Sequence, residues 1–204
     1  MIASRDGNLP FENGNFDLVI SILNFHSVND LPRALSAAAN VLKPDGLMLA
    51  AYFGGNTLTQ LRQSFYSVES ERLGGLTPRV IPMIDFSQSA ALLQRAGFAL
   101  PVVDMDRFTL SYDSLSKLAA DLRDAGETSI LSERQKAPLS RDFYDALETD
   151  LKTSYPAKPG RFSMSFEILW ATGWTPHESQ QKPLKPGSAK MRLSEALGTT
   201  EQKL

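Results

Sequence analysis

Two polar side chains that could contact a small ligand follow a continuous apolar run near the start of the chain. The run Phe16–Ile22 reads FDLVISI, a pattern typical of a strand covered on both faces. Asn24 and His26 come directly after it. Ligands of open α/β sheets bind at the carboxyl ends of the strands, so both side chains are candidates for a ligand site. A packed, hydrogen-bonded histidine is the alternative for His26.

A strand, a helix and a second strand would position these groups. Asn29 or Asp30 is expected to cap the helix, and Pro32 fits its first turn. The apolar residues that follow fall on one helical face: Leu31, Ala34, Leu35, Ala38, Val41 and Leu42. The helix is expected to end at Lys43-Pro44-Asp45-Gly46, and a buried strand over 47–53 follows. The unit predicts a right-handed parallel crossover.

The rest of the chain alternates helical and strand patterns. Helical spacing of apolar residues predicts helices over 58–68, from Ser87, after Asp113 or Ser114, and over 143–151. Strand patterns cover 98–103, 108–112 and 162–168, and the last of these alternates with period two, which favours an antiparallel strand. Trp170 and Trp174 are expected to pack that strand against a helix.

The pattern predicts an α/β fold with parallel strands first, antiparallel strands at the end, and helical insertions between them. Residues 1–174 would form the domain. Residues 175–204 are polar and rich in Pro, Lys and Gln, so they are expected to form an extended or disordered tail.

Composition excludes several classes of function. The chain of 204 residues has a formal net charge of -2, which argues against general affinity for nucleic acid. It has no cysteine and only two histidines, so a metal centre is not expected. No run of about 18 apolar residues is present to span a membrane, and no signal peptide is visible. A cytoplasmic protein is the default expectation.

Several other residues leave two interpretations open. Gly54-Gly55-Asn56-Thr57 either borders an acceptor pocket or only ends a strand and caps a helix. Arg62, Arg79 and Glu127 are expected to be solvated surface charges, although their segments could also form a lid.

The order and intervals of three motifs resemble those of class I S-adenosylmethionine-dependent methyltransferases. The motifs are the Leu9-Pro10-Phe11 turn, the Phe16-Asp17-Leu18-Val19 strand and the Lys43-Pro44-Asp45-Gly46 turn. The resemblance implies an incomplete Rossmann-like sheet and S-adenosylmethionine as cofactor.

Other segments resemble one branch of that family, the assembly factor 5 proteins of respiratory complex I and their bacterial relatives. These segments are 29–35, 54–58, 95–98, 173–174 and 177–180. The biotin-pathway enzyme that methylates a malonyl-carrier thioester is a more distant relative. The resemblance implies either methylation of a protein or carrier-bound acceptor, or a non-methylating assembly role for a complex I subunit through arginine hydroxylation or chaperone-like binding. It also implies the mitochondrial matrix as the compartment in a eukaryote.

The same resemblance implies a set of cofactor-binding residues. Asp6, Gly7, Asn8 and Leu9 would lie beside the adenine, although the family's usual acidic position holds Arg5 here. Ser21 and Asn24 would contact the methionine portion, and His26 would lie at the edge of the pocket, followed by Ser27 where the branch commonly has tryptophan.

The family's glycine-rich turn and its ribose-binding acidic residue have no counterpart in the sequence, which contains no Gly-x-Gly. Both would precede Met1. The expectation is therefore a chain that lacks the first half of the sheet, leaves apolar surface uncovered, and binds the cofactor weakly or is inactive.

Overall fold

The computed structural model describes residues 9–132, 139–181, 188, 191 and 193–199. A single 3₁₀ helix, Phe25–Ser27, follows the first strand. The remaining elements, in chain order, are β1 (Phe16–Ile22), α1 (Leu31–Val41), β2 (Leu42–Phe53), α2 (Thr59–Leu73), α3 (Phe86–Arg95), β3 (Ala99–Tyr112), α4 (Leu115–Asp124), α5 (Arg141–Ser154), β4 (Phe162–Trp174) and α6 (Leu193–Leu197).

The four strands form one mixed sheet in the order β1-β2-β4-β3. β1 and β2 are parallel, with Ile20 opposite Leu49. β4 runs antiparallel to both of its neighbours and pairs Trp170 with Ala51 of β2. The α/β prediction is therefore confirmed, including the parallel first pair and the antiparallel end of the chain.

Two strands differ from the sequence prediction in extent. β3 is one continuous strand, not two, because it pairs with β4 from Val102 to Tyr112 without a break. β2 begins at Leu42 and contains the predicted turn as a bulge, where Asp45 has a φ of 63°. Leu42 pairs with Phe16 and Leu47 with Leu18, so the four residues between Leu42 and Leu47 lie opposite one residue of β1, and this bulge adds local twist.

Two apolar cores hold the fold together. The sheet core lies between one face of the sheet and helices α1 and α3, and it contains Leu35, Met48, Tyr52, Leu93 and Leu169. The second core belongs to the helical lobe, by which we mean α2, α4 and α5 packed on the ends of β3 and β4. Its fully buried residues are Leu118, Leu147, Leu151, Phe162 and Met164.

The other face of the sheet is exposed over β1 and the neighbouring halves of the other strands. Ile20 is 58% exposed, Ile22 71% and Trp170 46%. We call this surface the open face; its apolar members are Leu18, Ile20, Ile22, Leu49, Val102, Trp170 and Trp174. The predictions of a doubly covered first strand and of tryptophans packed against a helix are wrong, because no described helix lies over this face.

The end of β4 continues into a short segment that packs on the β2 bulge. The Thr175 backbone N–H donates to the Gly46 carbonyl at 2.9 Å, and the Asp45 N–H donates to the Thr175 carbonyl at 3.2 Å. The Gln180 side chain donates to Asp45 at 2.9 Å. The first residues after 174 are therefore held against the sheet, while residues 182–187 lie outside the described part of the chain. The domain boundary at 174 stays a prediction.

Among the described helices, none combines the length and the apolar character needed to cross a bilayer.

Gly173→Ala should destabilise the fold. A Cβ at Gly173 would lie 2.8 Å from the Phe98 Cβ, closer than carbon atoms approach, so the α3 to β3 connection would have to shift. We expect a loss of about 1–3 kcal/mol in the free energy of unfolding, measured by urea denaturation. The control is Gly75→Ala, since no atom lies within 4 Å of its Cβ position. Equal effects of the two substitutions would contradict the packing described for Gly173.

Candidate functional site

A cavity of about 700 Å³ opens at the carboxyl end of β1. β1, the 3₁₀ helix and the first turns of α1 form its walls. Of the residues predicted to bind a cofactor, Leu9, Ser21 and Asn24 line this cavity, and His26 does not. Asp6, Gly7 and Asn8 lie outside the described residues. The structure thus brings three of the predicted residues to one place.

The chain turns sharply between β1 and α1, and this turn shapes the cavity. Leu23 adopts a left-handed conformation with a φ of 48°, and its N–H donates to the Ala51 carbonyl at 2.7 Å. The Ser27 hydroxyl donates to the Asn24 carbonyl at 2.8 Å. Asp30 then caps α1 by accepting the Arg33 N–H at 3.0 Å, as the sequence predicted. These bonds fix Asn24 and Ser27 at the cavity wall.

Ser21 gives the clearest sign that the cavity suits a polar ligand. Its Oγ is buried and has no hydrogen-bond partner among the described residues. A buried hydroxyl without a partner costs free energy, and native structures seldom leave one unpaired. A ligand group in the cavity could bond to this hydroxyl, so the residues present fit a polar cofactor.

His26 lies behind the cavity wall and binds protein groups. Its Nε2 lies 3.0 Å from both carboxylate oxygens of Glu127. Its Nδ1 accepts a long hydrogen bond of 3.5 Å from the Phe53 N–H, so Nε2 is the nitrogen that carries the proton toward Glu127. The alternative of a packed, hydrogen-bonded histidine describes these contacts, and the expectation of a solvated Glu127 is wrong. A direct role of His26 in cofactor binding stays a prediction.

A buried carboxylate occupies the carboxyl end of β2. Glu167 of β4 is 1% exposed and accepts hydrogen bonds from Arg107 at 2.8 Å and from the Asn56 side chain at 2.9 Å. Burial alone would raise the pKa of this carboxyl, but the bonds from Arg107 and Asn56 outweigh it and hold the pKa below 4.5. Gly54 is required beside it, because a Cβ there would lie 2.4 Å from a Glu167 oxygen.

The glycine-rich segment after β2 therefore has a structural role. Thr57 Oγ1 donates to the Glu167 carbonyl and accepts the Glu167 N–H, both at 3.0 Å. The Gly54 N–H donates to the same carbonyl at 2.8 Å. These contacts favour the strand-ending interpretation of 54–57, and they join the start of α2 to β4.

Arg79 is a second residue that sequence reasoning placed on the surface. Its Nε lies 2.8 Å from Glu69, whose side chain is fully buried, and its guanidinium lies 5.5 Å from the Phe65 ring centroid. The Glu69 carboxylate also accepts the Thr77 N–H at 2.7 Å. The expectation of a solvated Arg79 is wrong, since it fastens the segment after α2 to that helix.

Comparison with known proteins agrees with this geometry. Residues 2–50 match the family model described as a methyltransferase domain. A solved candidate methyltransferase of Bacillus halodurans C-125 shares the fold with a TM-score of 0.53 and 16% identity, over 84% of this chain and 75% of that one. The fold is that of the Rossmann-like class I methyltransferases.

Two curated proteins are similar in sequence to this chain over most of its length. The mitochondrial arginine-hydroxylase NDUFAF5 of Dictyostelium discoideum is 39% identical over 190 residues, which is 93% of this chain and 43% of that protein. The malonyl-[acyl-carrier protein] O-methyltransferase of Xylella fastidiosa is 33% identical over 168 residues, 82% of this chain and 55% of that protein. The chain is similar to these proteins over most of its own length, and it spans about half of theirs.

The lowered pKa of Glu167 predicts an acid-sensitive contribution to stability. A carboxyl whose pKa is lower in the folded chain stabilises the fold above its unfolded value of 4.5, and this stabilisation is lost as the pH falls through the folded pKa. Glu167→Gln should therefore lower the free energy of unfolding at neutral pH by about 1–3 kcal/mol, with a smaller difference from wild type below pH 4.5.

Urea denaturation across this pH range measures the effect, with the exposed Glu71→Gln as control. A difference between wild type and Glu167→Gln that stays constant with pH would contradict the assignment of a charged Glu167.

Proposed function

We propose that the cavity beside β1 is part of an S-adenosylmethionine site and that the protein transfers a methyl group to a protein or carrier-bound acceptor. The observation that carries this proposal is the buried Ser21 hydroxyl, which has no partner in the described part of the chain and lies in a cavity at the carboxyl end of a parallel strand. The methyltransferase-domain match and the malonyl-carrier methyltransferase relative support it.

The chain's own groups would bind and orient the reactants. Ser21 Oγ would bond to a polar group of the cofactor, and Asn24 and Ser27 border the same space. Phe25 is buried beside them and packs on Tyr52 with ring centroids 6.2 Å apart, which excludes water from the back of the cavity. S-adenosylmethionine supplies an electrophilic methyl group when bound. Alignment of two reactants in a dry cavity is the main requirement for such a transfer.

We also propose that this chain binds the cofactor weakly. β1 forms one wall of the cavity, and it is an edge strand with β2 as its partner in the described sheet. The open face lies on the same strand, so this wall has little support on one side. A wall that moves must be ordered when a ligand binds, and the cost of ordering lowers affinity.

A second function is favoured by the relatives of higher identity. The proteins about 40% identical to this chain are named arginine hydroxylases, including that of Homo sapiens. We therefore keep as the alternative an assembly factor for a respiratory complex I subunit, acting by arginine hydroxylation or by chaperone-like binding. We propose no nucleic-acid partner, and a location in the cytoplasm or, in a eukaryote, the mitochondrial matrix.

Titration calorimetry with S-adenosylmethionine tests the cofactor proposal. We expect the printed chain to bind with a Kd weaker than about 100 μM, equivalent to roughly -5.5 kcal/mol. Ser21→Ala should weaken binding by about fivefold to tenfold, because one hydrogen bond to the ligand is lost. The control is Ser70→Ala on the exposed side of α2.

No binding at millimolar concentration would overturn the cofactor proposal. Binding at micromolar concentration would overturn the proposal of a weak site.

Mass spectrometry of two acceptors separates the two functions. A malonyl-carrier thioester and an arginine-containing peptide are each incubated with the chain and S-adenosylmethionine, with dioxygen and a reductant in a parallel set. Methyl transfer predicts a gain of one methylene in mass that requires S-adenosylmethionine. A gain of one oxygen on the arginine peptide, dependent on dioxygen and reductant, would instead establish the alternative.

A further inference from the structure

Glu127 extends from the end of α4 to the back of the cofactor cavity. α4 ends at Asp124, and Gly126 takes a left-handed conformation with a φ of 81°. The Gly126 N–H donates to the Arg123 carbonyl at 3.0 Å, and the Glu127 N–H donates to the Leu122 carbonyl at 2.7 Å. This helix-ending motif fixes the backbone at Glu127 and therefore the direction of its carboxylate.

The side chain of His26, the partner of Glu127, is buried and has a protein contact at each ring nitrogen. Its side chain is 1% exposed, and the Glu127 side chain is 17% exposed. The imidazole packs edge-on against Phe53 with ring centroids 4.9 Å apart. Both ring nitrogens have protein partners, Glu127 and the Phe53 N–H. His26 can therefore influence a ligand through the position of its backbone, without touching the ligand itself.

The backbone on either side of His26 forms part of the cavity wall. His26 is the middle residue of the 3₁₀ helix, between the cavity-lining residues Phe25 and Ser27. The Ser27 N–H donates to the Asn24 carbonyl at 3.0 Å, and the Val28 N–H donates to the Phe25 carbonyl at 3.3 Å. A shift of the imidazole would move this turn and the polar groups that it presents to the cavity.

Glu127 is attached to the helical lobe, because it directly follows α4 and α4 is bonded to α5. The Leu115 N–H donates to Glu148 at 2.8 Å, and the hydroxyls of Ser116 and Tyr144 lie 2.8 Å apart. Leu118 of α4 and Leu147 of α5 are both fully buried in the core of the lobe. The Glu127 carboxylate that bonds to His26 therefore belongs to the helical lobe. The two residues are 101 positions apart in the sequence.

We propose that Glu127 and His26 are a positioning pair that couples the helical lobe to the cofactor cavity. While the helical lobe is seated, that is, packed on β3 and β4 as in this structure, the pair holds the 3₁₀ helix in the geometry that binds a ligand. Displacement of the lobe from these strands therefore loosens the cavity wall. Because coupling is reciprocal, a ligand that orders this wall also favours the seated lobe. The part of this proposal that concerns the cofactor rests on the proposed function.

Hydrogen exchange of the chain without ligand tests the pair independently of any cofactor. Glu127→Ala should raise the exchange rates of the Ser27 and Val28 amides by about tenfold, relative to the rates of buried β4 amides such as that of Leu169. Glu127→Gln, which keeps an acceptor for the imidazole, should raise them less. Asp124→Asn is the matched control, an exposed carboxylate at the end of the same helix.

Unchanged Ser27 and Val28 rates in Glu127→Ala would overturn the proposal. An equal rise at Ser27, Val28 and Leu169 would also overturn it, since the contact would then stabilise the whole fold and not this turn.

Calorimetry with S-adenosylmethionine extends the test to binding. Glu127→Ala should weaken affinity by about fivefold, and adding His26→Ala should weaken it little further, because the two residues act as a unit. Independent, additive losses would overturn the coupling. Failure of the wild-type chain to bind would count against the proposed function, whereas the exchange rates decide the positioning pair.

Discussion

The pairing of β4 with both β2 and β3 is the interaction on which the rest of the structure depends. The first half of β4 carries Phe162 and Met164, which are buried in the core of the helical lobe. Its second half carries Leu169 and Ala171, which belong to the sheet core. One strand is therefore shared by both cores, and its ladder to β2 fixes where the lobe stands relative to the cavity beside β1. Loss of packing in either core is expected to weaken the other.

The carboxyl end of β2 is the point at which the segments of the site meet. On one side the buried Glu167 of β4 contacts Gly54 and Asn56. On the other side Phe53 packs against His26, which Glu127 holds. A carboxylate thus lies on each side of the end of β2, and each accepts hydrogen bonds from other side chains, as buried polar groups must. The arrangement bonds the back of the cavity to the rest of the protein, whereas its outer wall is an edge strand.

The sequence predicted the elements whose signals are local. The apolar run of β1, the Asp30 cap and the turn before Leu47 all act over a few residues, and the parallel pair followed from them. The sequence predicts two strands where the structure has β3, because Asp104 and Asp106 interrupt the apolar pattern. Hydrogen bonds to β4 keep β3 continuous. Propensity could not reveal a pairing that depends on a distant strand.

The electrostatic contacts of the site could not be read from the sequence for the same reason. Glu127 pairs with a histidine 101 residues away, and Glu167 pairs with an arginine 60 residues away. A lone Glu in a polar segment carries no signal of such a partner. The family resemblance supplied Leu9 and Ser21, and the position of Asn24 after the first strand also indicated that residue; all three line one cavity.

The open face adjoins the strand that bounds the cavity. Its apolar side chains extend from β1 across the sheet, and an apolar surface of this kind normally contacts protein. The same strand bounds the cavity, so the stability of the cavity wall depends on what contacts this face. The two tryptophans of the chain, Trp170 and Trp174, both lie on it.

Tryptophan fluorescence therefore reports on the open face alone and tests the account most directly. For the folded chain in dilute solution, the account predicts emission red-shifted from that of buried indoles and acrylamide quenching between that of a buried indole and that of the urea-unfolded chain, since Trp170 is 46% and Trp174 36% exposed. Blue-shifted emission that resists quenching, in a chain shown to be monomeric, would contradict it, because both indoles would then be covered by the chain itself.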